Sequence, residues 1–269
     1  MTLPIYLCGV AGRMGRMIAE CIAEAKDLRI AAAFEAPGHP WIGRRLDEAL
    51  GPAGAPCIVA SAPPDQPAEG RVVSIHFTTP EATVGWLDWS ARHDCPMVIG
   101  TTGLSEEQIG RVRAAAQRVA ILMAPNLSVG VNLLFALTRR AAEALGKDFD
   151  VEIAEIHHRF KKDAPSGTAL RLGQIVAEAF GTDLASAAAH GRSGLVGQRP
   201  SGQIGFHALR GGDVVGEHTV FFTGLGERLE LTHRAASRGA FAPGALRAAR
   251  FVADKPARLY DMQEALGLR

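Results

Sequence analysis

Gly9-Val10-Ala11-Gly12-Arg13-Met14-Gly15 restricts the fold more than any other stretch of the chain. It follows a short apolar run over residues 3–9. A helix-spaced apolar pattern at Met17, Ile18, Cys21, Ile22 and Ala25 comes after it. Glycines permit a tight strand-to-helix turn and let backbone amides approach a pyrophosphate at the helix N-terminus. A second strand is predicted over Leu28 to Phe34, ending at Glu35. An acid at that distance commonly accepts hydrogen bonds from adenosine ribose hydroxyls. The pattern departs from G-x-G-x-x-G, with Ala11 in place of the second glycine, and an ordinary tight turn uses similar residues. Strand, loop, helix, strand and terminal acid in that order favour a dinucleotide site. Its expected contacts are Gly9, Val10, Ala11, Gly12, Arg13, Met14 and Glu35.

The same alternation continues. Ala36 to Gly70 is rich in Pro, Gly and Ala and reads as loop and short elements around an apolar run at Cys57 to Ala60. Strands are expected at Val72 to Phe77, Pro96 to Ile99 and Ala120 to Ala124. Pro80 suits the first turn of a helix carrying Val84, Trp86 and Leu87 toward Ala91. Ser105-Glu106-Glu107-Gln108 reads as a capping box. Strands alternating with helices specify an α/β fold, a Rossmann-like doubly wound parallel sheet. Ligands of such sheets sit beyond the carboxyl ends of the strands. Phe77-Thr78, Gly100-Thr101-Thr102 and Ala124-Pro125-Asn126-Leu127 are therefore expected to line one cleft with the glycine loop.

A long helix is expected over Val129 to Leu145, with Leu133, Leu134, Leu137 and Ala141 toward a core. An alternating strand follows over Phe149 to Ile156. Beyond it, residues 157–162 hold two histidines, an arginine and two lysines, and the chain then reads Asp163-Ala164-Pro165-Ser166-Gly167-Thr168. Ser166 is a good N-cap for a helix over Thr168 to Phe180. The start of such a helix carries partial positive charge and favours carboxylate or phosphate. Imidazoles supply a proton near neutral pH, and lysines supply charge or a second proton. A solvated charged loop is the plainer reading, and the residues alone leave both open. If residues 155–158 are extended, Glu155 and His157 share one face and His158 takes the other. No metal is expected there, because no Cys or carboxylate joins the histidines at a recognised ligand spacing.

Residues 181–202 read as loop. Gln203 to Ala235 shows three β-rich segments separated by Arg210-Gly211-Gly212-Asp213 and Gly224-Leu225-Gly226-Glu227, the pattern of an antiparallel meander. Its apolar Val220, Phe221 and Phe222 fit a core or an interface. A separate α+β domain inserted in the chain follows from this. The expected division is 1–128 for the first domain, completed by 238–269 through the helix that begins near Pro243, and 129–237 for the second.

Glu155-Ile156-His157-His158, then Lys161, then Asp163-Ala164-Pro165-Ser166-Gly167-Thr168-Ala169 resembles the signature of the dihydrodipicolinate (4-hydroxy-tetrahydrodipicolinate) reductase family of lysine and diaminopimelate synthesis. The form Gly-x-x-Gly-Arg-Met-Gly, the Gly-Thr-Thr and Pro-Asn turns, Gly-Glu-His-Thr at 216–219 and Asp261-Met262 extend the resemblance over most of the chain. An Asp often precedes the Phe-Thr pair in that family, and here the residue is His76. The resemblance implies hydride transfer from NADH or NADPH to a small cyclic dicarboxylate. It makes His157 the proton donor/acceptor and Lys161, not Lys162, the second catalytic residue. It gives substrate carboxylate contacts to His158, Ser166, Gly167 and Thr168, and turns the strand-end residues into nicotinamide-dinucleotide contacts. It also implies a homotetramer assembled through the sheet of the second domain. Family members that use NADPH well commonly carry Arg directly after the acid at 35. Ala36 stands there, so NADH is expected to serve at least as well as NADPH, with Arg13 and His39 as partial substitutes for the missing cation.

Composition sets the remaining bounds. A formal charge of +1 and a pI near 7.8 give no global basic field for nucleic acid or a membrane surface. No apolar stretch has the length of a membrane span, and the N-terminus lacks the basic region of a signal peptide. Cys8, Cys21, Cys57 and Cys95 form no close pair and read as small buried hydrophobes of a reducing compartment, so the cytoplasm is the expected location. Two other functions fit parts of the pattern. Another NAD(P)-dependent dehydrogenase of a small acid would keep the first domain and the basic loop. A non-catalytic sensor of NADH would keep the cleft and have no need of the His-His-Lys stretch.

Overall fold

The computed structural model describes residues 2–268, the side chain of Arg238 excepted. The chain divides into two compact units, with the boundaries at Val129/Gly130 and at Arg238/Gly239.

The first unit begins with β1 (Leu3–Cys8), α1 (Arg13–Glu24) and β2 (Leu28–Phe34). A short helix α2 (Leu46–Leu50) and β3 (Val59–Ala60) occupy the Pro- and Gly-rich segment. The chain continues through β4 (Val73–His76), α3 (Pro80–Gly85), α4 (Leu87–Arg92) and β5 (Met97–Ile99). The single helix expected after Pro80 is thus two, broken at Trp86, which is buried among Tyr6, Phe34 and Trp89. Helix α5 (Glu106–Ala115) starts from Ser105 with the reciprocal capping box its sequence specifies. Strand β6 (Ile121–Met123) follows, and α6 (Val129–Leu145) carries the chain out of this unit. After the second unit, the chain re-enters the first as α9 (Ala242–Val252), β12 (Leu259–Tyr260) and α10 (Met262–Ala265).

The strands pair in the order β12-β6-β5-β4-β1-β2-β3, every pairing parallel. Strands covered on both faces read as near-continuous apolar runs, and Ile5, Leu7, Val73, Ile75, Val98 and Leu122 pack one face while Tyr6, Met97, Ile99 and Ile121 pack the other. Because all strands run the same way, the carboxyl ends of β1, β2, β4, β5 and β6 lie on one edge. The connection reverses direction between β1 and β4, which puts the binding crevice of such a sheet at the end of β1.

The second unit contains most of α6, then β7 (Asp150–His157), α7 (Gly167–Phe180), α8 (Leu184–Ala187) and β8 (Ala188–His190). Strands β9 (Ile204–Arg210), β10 (Gly216–Thr223) and β11 (Arg228–Ala235) complete it. The order is β11-β10-β7-β9-β8, so the three late strands do not form the meander their spacing suggests. Only β10 and β11 form a hairpin; β7 lies between β10 and β9 and runs parallel to β9. Strand β7 is apolar on alternate positions and β-branched, and it buries Val151 and Ile153 completely, which suits a central strand better than an edge.

One face of this sheet packs on α6 and α7: Val151, Ile153, Ile204, Phe206, Val220 and Phe222 meet Leu134, Leu172, Val176 and Phe180. Val220 and Phe222 are therefore core, and Phe221 points to the other, half-exposed face. The stripe of α6 is Val131, Leu134, Thr138 and Ala142, leaving Leu133 and Leu137 exposed against expectation. The residues after β8 are irregular but tethered, with Arg192 and Arg199 both bonded to Glu152 on the open face. No helix among the described residues is long and apolar enough to cross a membrane. The cysteines are free; Cys8 and Cys95 are buried, while Cys21 and Cys57 are only half-buried.

Candidate functional site

At the end of β1, two close approaches dictate the glycine loop. Gly9 adopts φ +83°, and a Cβ on it would lie 2.2 Å from the Phe77 carbonyl oxygen. A Cβ on Gly15 would lie 2.1 Å from the Gly9 carbonyl oxygen. The loop can be this tight only with hydrogen at both positions. Gly12 caps α1 without a side-chain hydrogen bond, so the helix start offers backbone alone. Arg13 is exposed at the first helical position, Met14 is half-buried, and the Val10 side chain is core. Glu35, at the end of β2, accepts from the Ala11 N–H at 2.6 Å and from the Ala36 N–H at 3.2 Å. Its carboxylate braces the glycine loop at the edge of the cleft.

The other strand ends are tied to each other. Thr101 Oγ1 accepts from the Thr78 N–H at 3.3 Å and pairs with Thr83 Oγ1 at 2.8 Å. The Phe77 ring lies over Gly100, where a Cβ would fall 2.4 Å from it. Asn126 Oδ1 accepts from the Ser128 N–H, and Ala124 and Leu127 are buried in the core. At Ala124 and Leu127, as at Val10 and Thr101, only backbone can face a ligand. Thr102 is exposed, and so is Pro125. His76 is fully buried with Nε2 against Ser74 Oγ, and burial pushes its pKa down to about 3, so it stands neutral. A cavity of about 240 Å³ opens here, lined by Gly9, Glu35, Ala36, Thr78 and Trp86 among others.

The second unit holds the basic loop. The alternation of β7 puts Glu155 and His157 on the buried face, as extended backbone requires, and the chain leaves the strand at His158. His157 Nδ1 meets Glu155 Oε2 at 2.5 Å. Arg210, at the end of β9, donates to both oxygens of the same carboxylate, at 2.8 and 2.9 Å. Burial works to raise the Glu155 pKa, but the Arg210 and His157 hydrogen bonds outweigh it and hold the carboxyl below its ordinary range. Burial lowers the pKa of His157, and the Glu155 contact opposes that shift only in part.

Ser166 caps α7, its Oγ accepting from the Ala169 N–H, while its own N–H donates to Glu155 Oε1 at 3.1 Å. The peptide bond before Pro165 is cis. His218 on β10 sits opposite Glu155 in the register, and its Nε2 meets Ser166 Oγ at 3.0 Å. Its ring stands edge-on to His157 with centroids 5.1 Å apart, and burial takes its pKa down to about 4. Lys161 Nζ donates to both Asp163 oxygens at 2.9 Å, whereas Lys162 is exposed. His158 is half-buried, with Nδ1 lacking a hydrogen-bond partner. Among the described residues no group of three or more His, Cys, Asp or Glu is placed to hold a metal.

His157 and Ser166 thus meet on one buried carboxylate. Lys161 lies near enough to His157 for its charge to lower the imidazole pKa, and His158 and the first residues of α7, Gly167 and Thr168, stand alongside in the chain. Arg210 and His218 join them without having been singled out for it. Their membership depends on β9 and β10 flanking β7, an arrangement the meander reading excluded.

The matches to known proteins agree over the full length. Residues 3–127 match the family described as dihydrodipicolinate reductase, N-terminus, and residues 130–266 match dihydrodipicolinate reductase, C-terminus. The 4-hydroxy-tetrahydrodipicolinate reductase of Nitrosomonas europaea is 49% identical over 267 residues, covering 99% of both chains. The protein of the same name from Nitrosospira multiformis is 47% identical, covering 100% of this chain and 99% of its own. Dipicolinate-bound dihydrodipicolinate reductase from Paenisporosarcina sp. TG-14 shares the fold with a TM-score of 0.76, at 24% identity and with 98% and 99% of the two chains covered. The chain belongs to the dihydrodipicolinate reductase family.

Proposed function

We propose that the protein reduces 4-hydroxy-tetrahydrodipicolinate to tetrahydrodipicolinate with a nicotinamide dinucleotide, in lysine and diaminopimelate synthesis. The observation that carries the reading is the joining of His157 and the α7 start by Glu155, with Lys161 close to His157, in a chain that matches reductases of this name from end to end. The first unit fits the cofactor: Gly9 and Gly15 leave no room for a Cβ, and a cleft of nucleoside size lies at the strand ends. Gly9 to Met14, Glu35, Phe77-Thr78, Gly100 to Thr102 and Ala124 to Leu127 would hold it. The bound nicotinamide supplies a hydride.

The substrate is a dianion, and the start of the helix α7 carries partial positive charge over Ser166, Gly167 and Thr168. With His158, this turn binds the carboxylates. Hydride addition builds negative charge on the ring, which a positioned acid neutralises. His157 Nδ1 is engaged by Glu155, so Nε2 is the atom that carries the proton. Lys161, oriented by Asp163, is the second catalytic group and adds positive charge beside it. Glu35 favours NADH, because a 2′-phosphate would meet its carboxylate and Ala36 brings no cation to pair with it. The half-exposed face of the second sheet, with Ile156, Leu209 and Phe221, is covered by other subunits in a homotetramer.

Steady-state turnover of substrate generated in situ tests the assignment. His157→Gln and Lys161→Ala each lower kcat by roughly two orders of magnitude with the Kd for NADH unchanged, and His158→Ala mainly raises KM. Normal turnover in Lys161→Ala with loss in Lys162→Ala would overturn the lysine assignment. Sedimentation equilibrium showing only monomer at micromolar concentration would refute the tetramer.

A further inference from the structure

We propose that Glu155 is the positioning residue of the site, a carboxylate that fixes the His157 ring through Nδ1 and locks the anion-binding turn to it through the Ser166 amide. The inference rests on His157 being the proton-carrying group.

Four donors converge on this carboxylate. Oε2 takes His157 Nδ1 and Arg210 Nη1, and Oε1 takes the Ser166 N–H and Arg210 Nη2. The side chain is 1% exposed, so each lone pair must find its partner inside the protein. The donors come from separate parts of the unit: β7 itself, the far end of β9, and the turn that opens α7. His218 of β10 closes the ring by holding Ser166 Oγ while standing edge-on to His157. Arg210 is further tied to the Asp163 carbonyl at 2.6 Å, which fixes the backbone beside Lys161.

A carboxylate on Nδ1 selects the tautomer with hydrogen there and leaves Nε2 as the working nitrogen. It also favours the imidazolium that a proton donor must become. Arg210 acts in the opposite sense, since its guanidinium neutralises most of the Glu155 charge that His157 would otherwise feel. The groups facing the ring are Glu155 on its own strand, Arg210 from β9, His218 from β10 and Lys161 from the following loop. Glu155 is the one acid among them. A purely structural ion pair between Glu155 and Arg210 would stabilise the fold and leave the titration of His157 where it is.

The two roles separate in the pH dependence of kcat/KM, measured on the full-length enzyme with substrate generated in situ. A proton donor loses activity as pH rises through its pKa. In Glu155→Gln the negative charge is gone, and this alkaline limb moves to lower pH by about one unit. In Arg210→Met the carboxylate is no longer neutralised, and the limb moves to higher pH. Glu155→Gln also lowers kcat by on the order of ten-fold or more, and this loss disappears in the His157→Gln background. Opposite shifts together with that non-additivity support the proposal. Shifts in the same direction, no shift, or an undiminished loss in the His157→Gln background overturn it. If one of the two variants does not fold, the direction of the other's limb decides alone. Full turnover in His157→Gln would refute the acid–base reading itself, and the positioning role with it. An inactive His157→Gln beside an unshifted Glu155→Gln refutes the positioning role alone.

Discussion

Replacing Gly216 by alanine should damage the reaction from a strand that contributes no reacting group at that position. A methyl built on Gly216 would stand 2.9 Å from His157 Nε2 and 3.2 Å from Cδ2. Carbon contacts are comfortable at about 3.5–4.0 Å, so one side must retreat by roughly 0.5–1 Å. The strand cannot retreat freely, because β10 is paired on both sides, with Gly216 opposite Ala235 and Glu217 opposite Ile156. The ring cannot either, because Nδ1 is fastened to Glu155 and Glu155 to Arg210. Overpacking of this kind costs about 1–3 kcal/mol, and displacing a reacting group by about 1 Å costs as much as 100-fold in rate. We therefore expect kcat to fall by roughly 10- to 100-fold, with the Kd for NADH unchanged because the glycine loop is untouched. Gly211→Ala is the control: a Cβ there meets nothing within 4 Å. Loss of nicotinamide absorbance during turnover reads kcat, and quenching of protein fluorescence reads cofactor binding. Wild-type kcat in Gly216→Ala, or equal losses in the two variants, would refute the reasoning.

Ala36→Arg should raise the ratio of kcat/KM for NADPH over NADH by about 10- to 100-fold, the worth of one charge-assisted phosphate contact; an unchanged ratio would mean that a cation already present holds the phosphate. Stability should fall as pH drops from about 6.5 toward 4.5, before most carboxylates titrate. His76 and His218 stay neutral in the fold down to about 3 and about 4, while the unfolded chain takes up their protons from about 6.5 downward. The sign is therefore a loss on acidification, roughly 2–3 kcal/mol for each histidine across that window. Thermal melts of His76→Asn should show a shallower slope there, and an unchanged slope would contradict the assignment.

Much of the first unit is legible because its signals are local. Ser105 and Gln108 are three residues apart and satisfy each other, so the capping box specifies its helix without help from the rest of the chain. The close approach of Gly15 to the Gly9 carbonyl is equally local. The break at Trp86 is not, since it exists because Tyr6, Phe34 and Trp89 from separate elements need that ring in the core. The second unit fails at strand order for a similar reason. Turns at Gly211-Gly212 and Gly226 announce hairpins, and one of them is a hairpin. The other joins strands that β7 separates, and turn chemistry carries no information about which strand intervenes. The stripe of α6 shows the same limit. Its leucines are apolar on two faces, and only the position of the sheet makes Leu134 core and Leu133 exposed.

The site divides along the same line. A period of two places Glu155 and His157 on one face of any strand that contains them, so their hydrogen bond is implicit in seven consecutive residues from Val151 to His157. The N-cap at Ser166 is implicit in the same way. What a local pattern cannot supply is the charge balance. A buried carboxylate beside a histidine reads as a strong base until its countercharge is known, and that countercharge is Arg210, fifty-five residues away in the chain. Arg210 reaches Glu155 only because β9 runs parallel to β7, with His157 and Arg210 at the same level of the ladder. The parallel pairing that the turn pattern conceals is therefore what brings the countercharge to Glu155. Reversing β9 would leave His157, the proposed proton donor, in place and remove the guanidinium paired with its carboxylate partner.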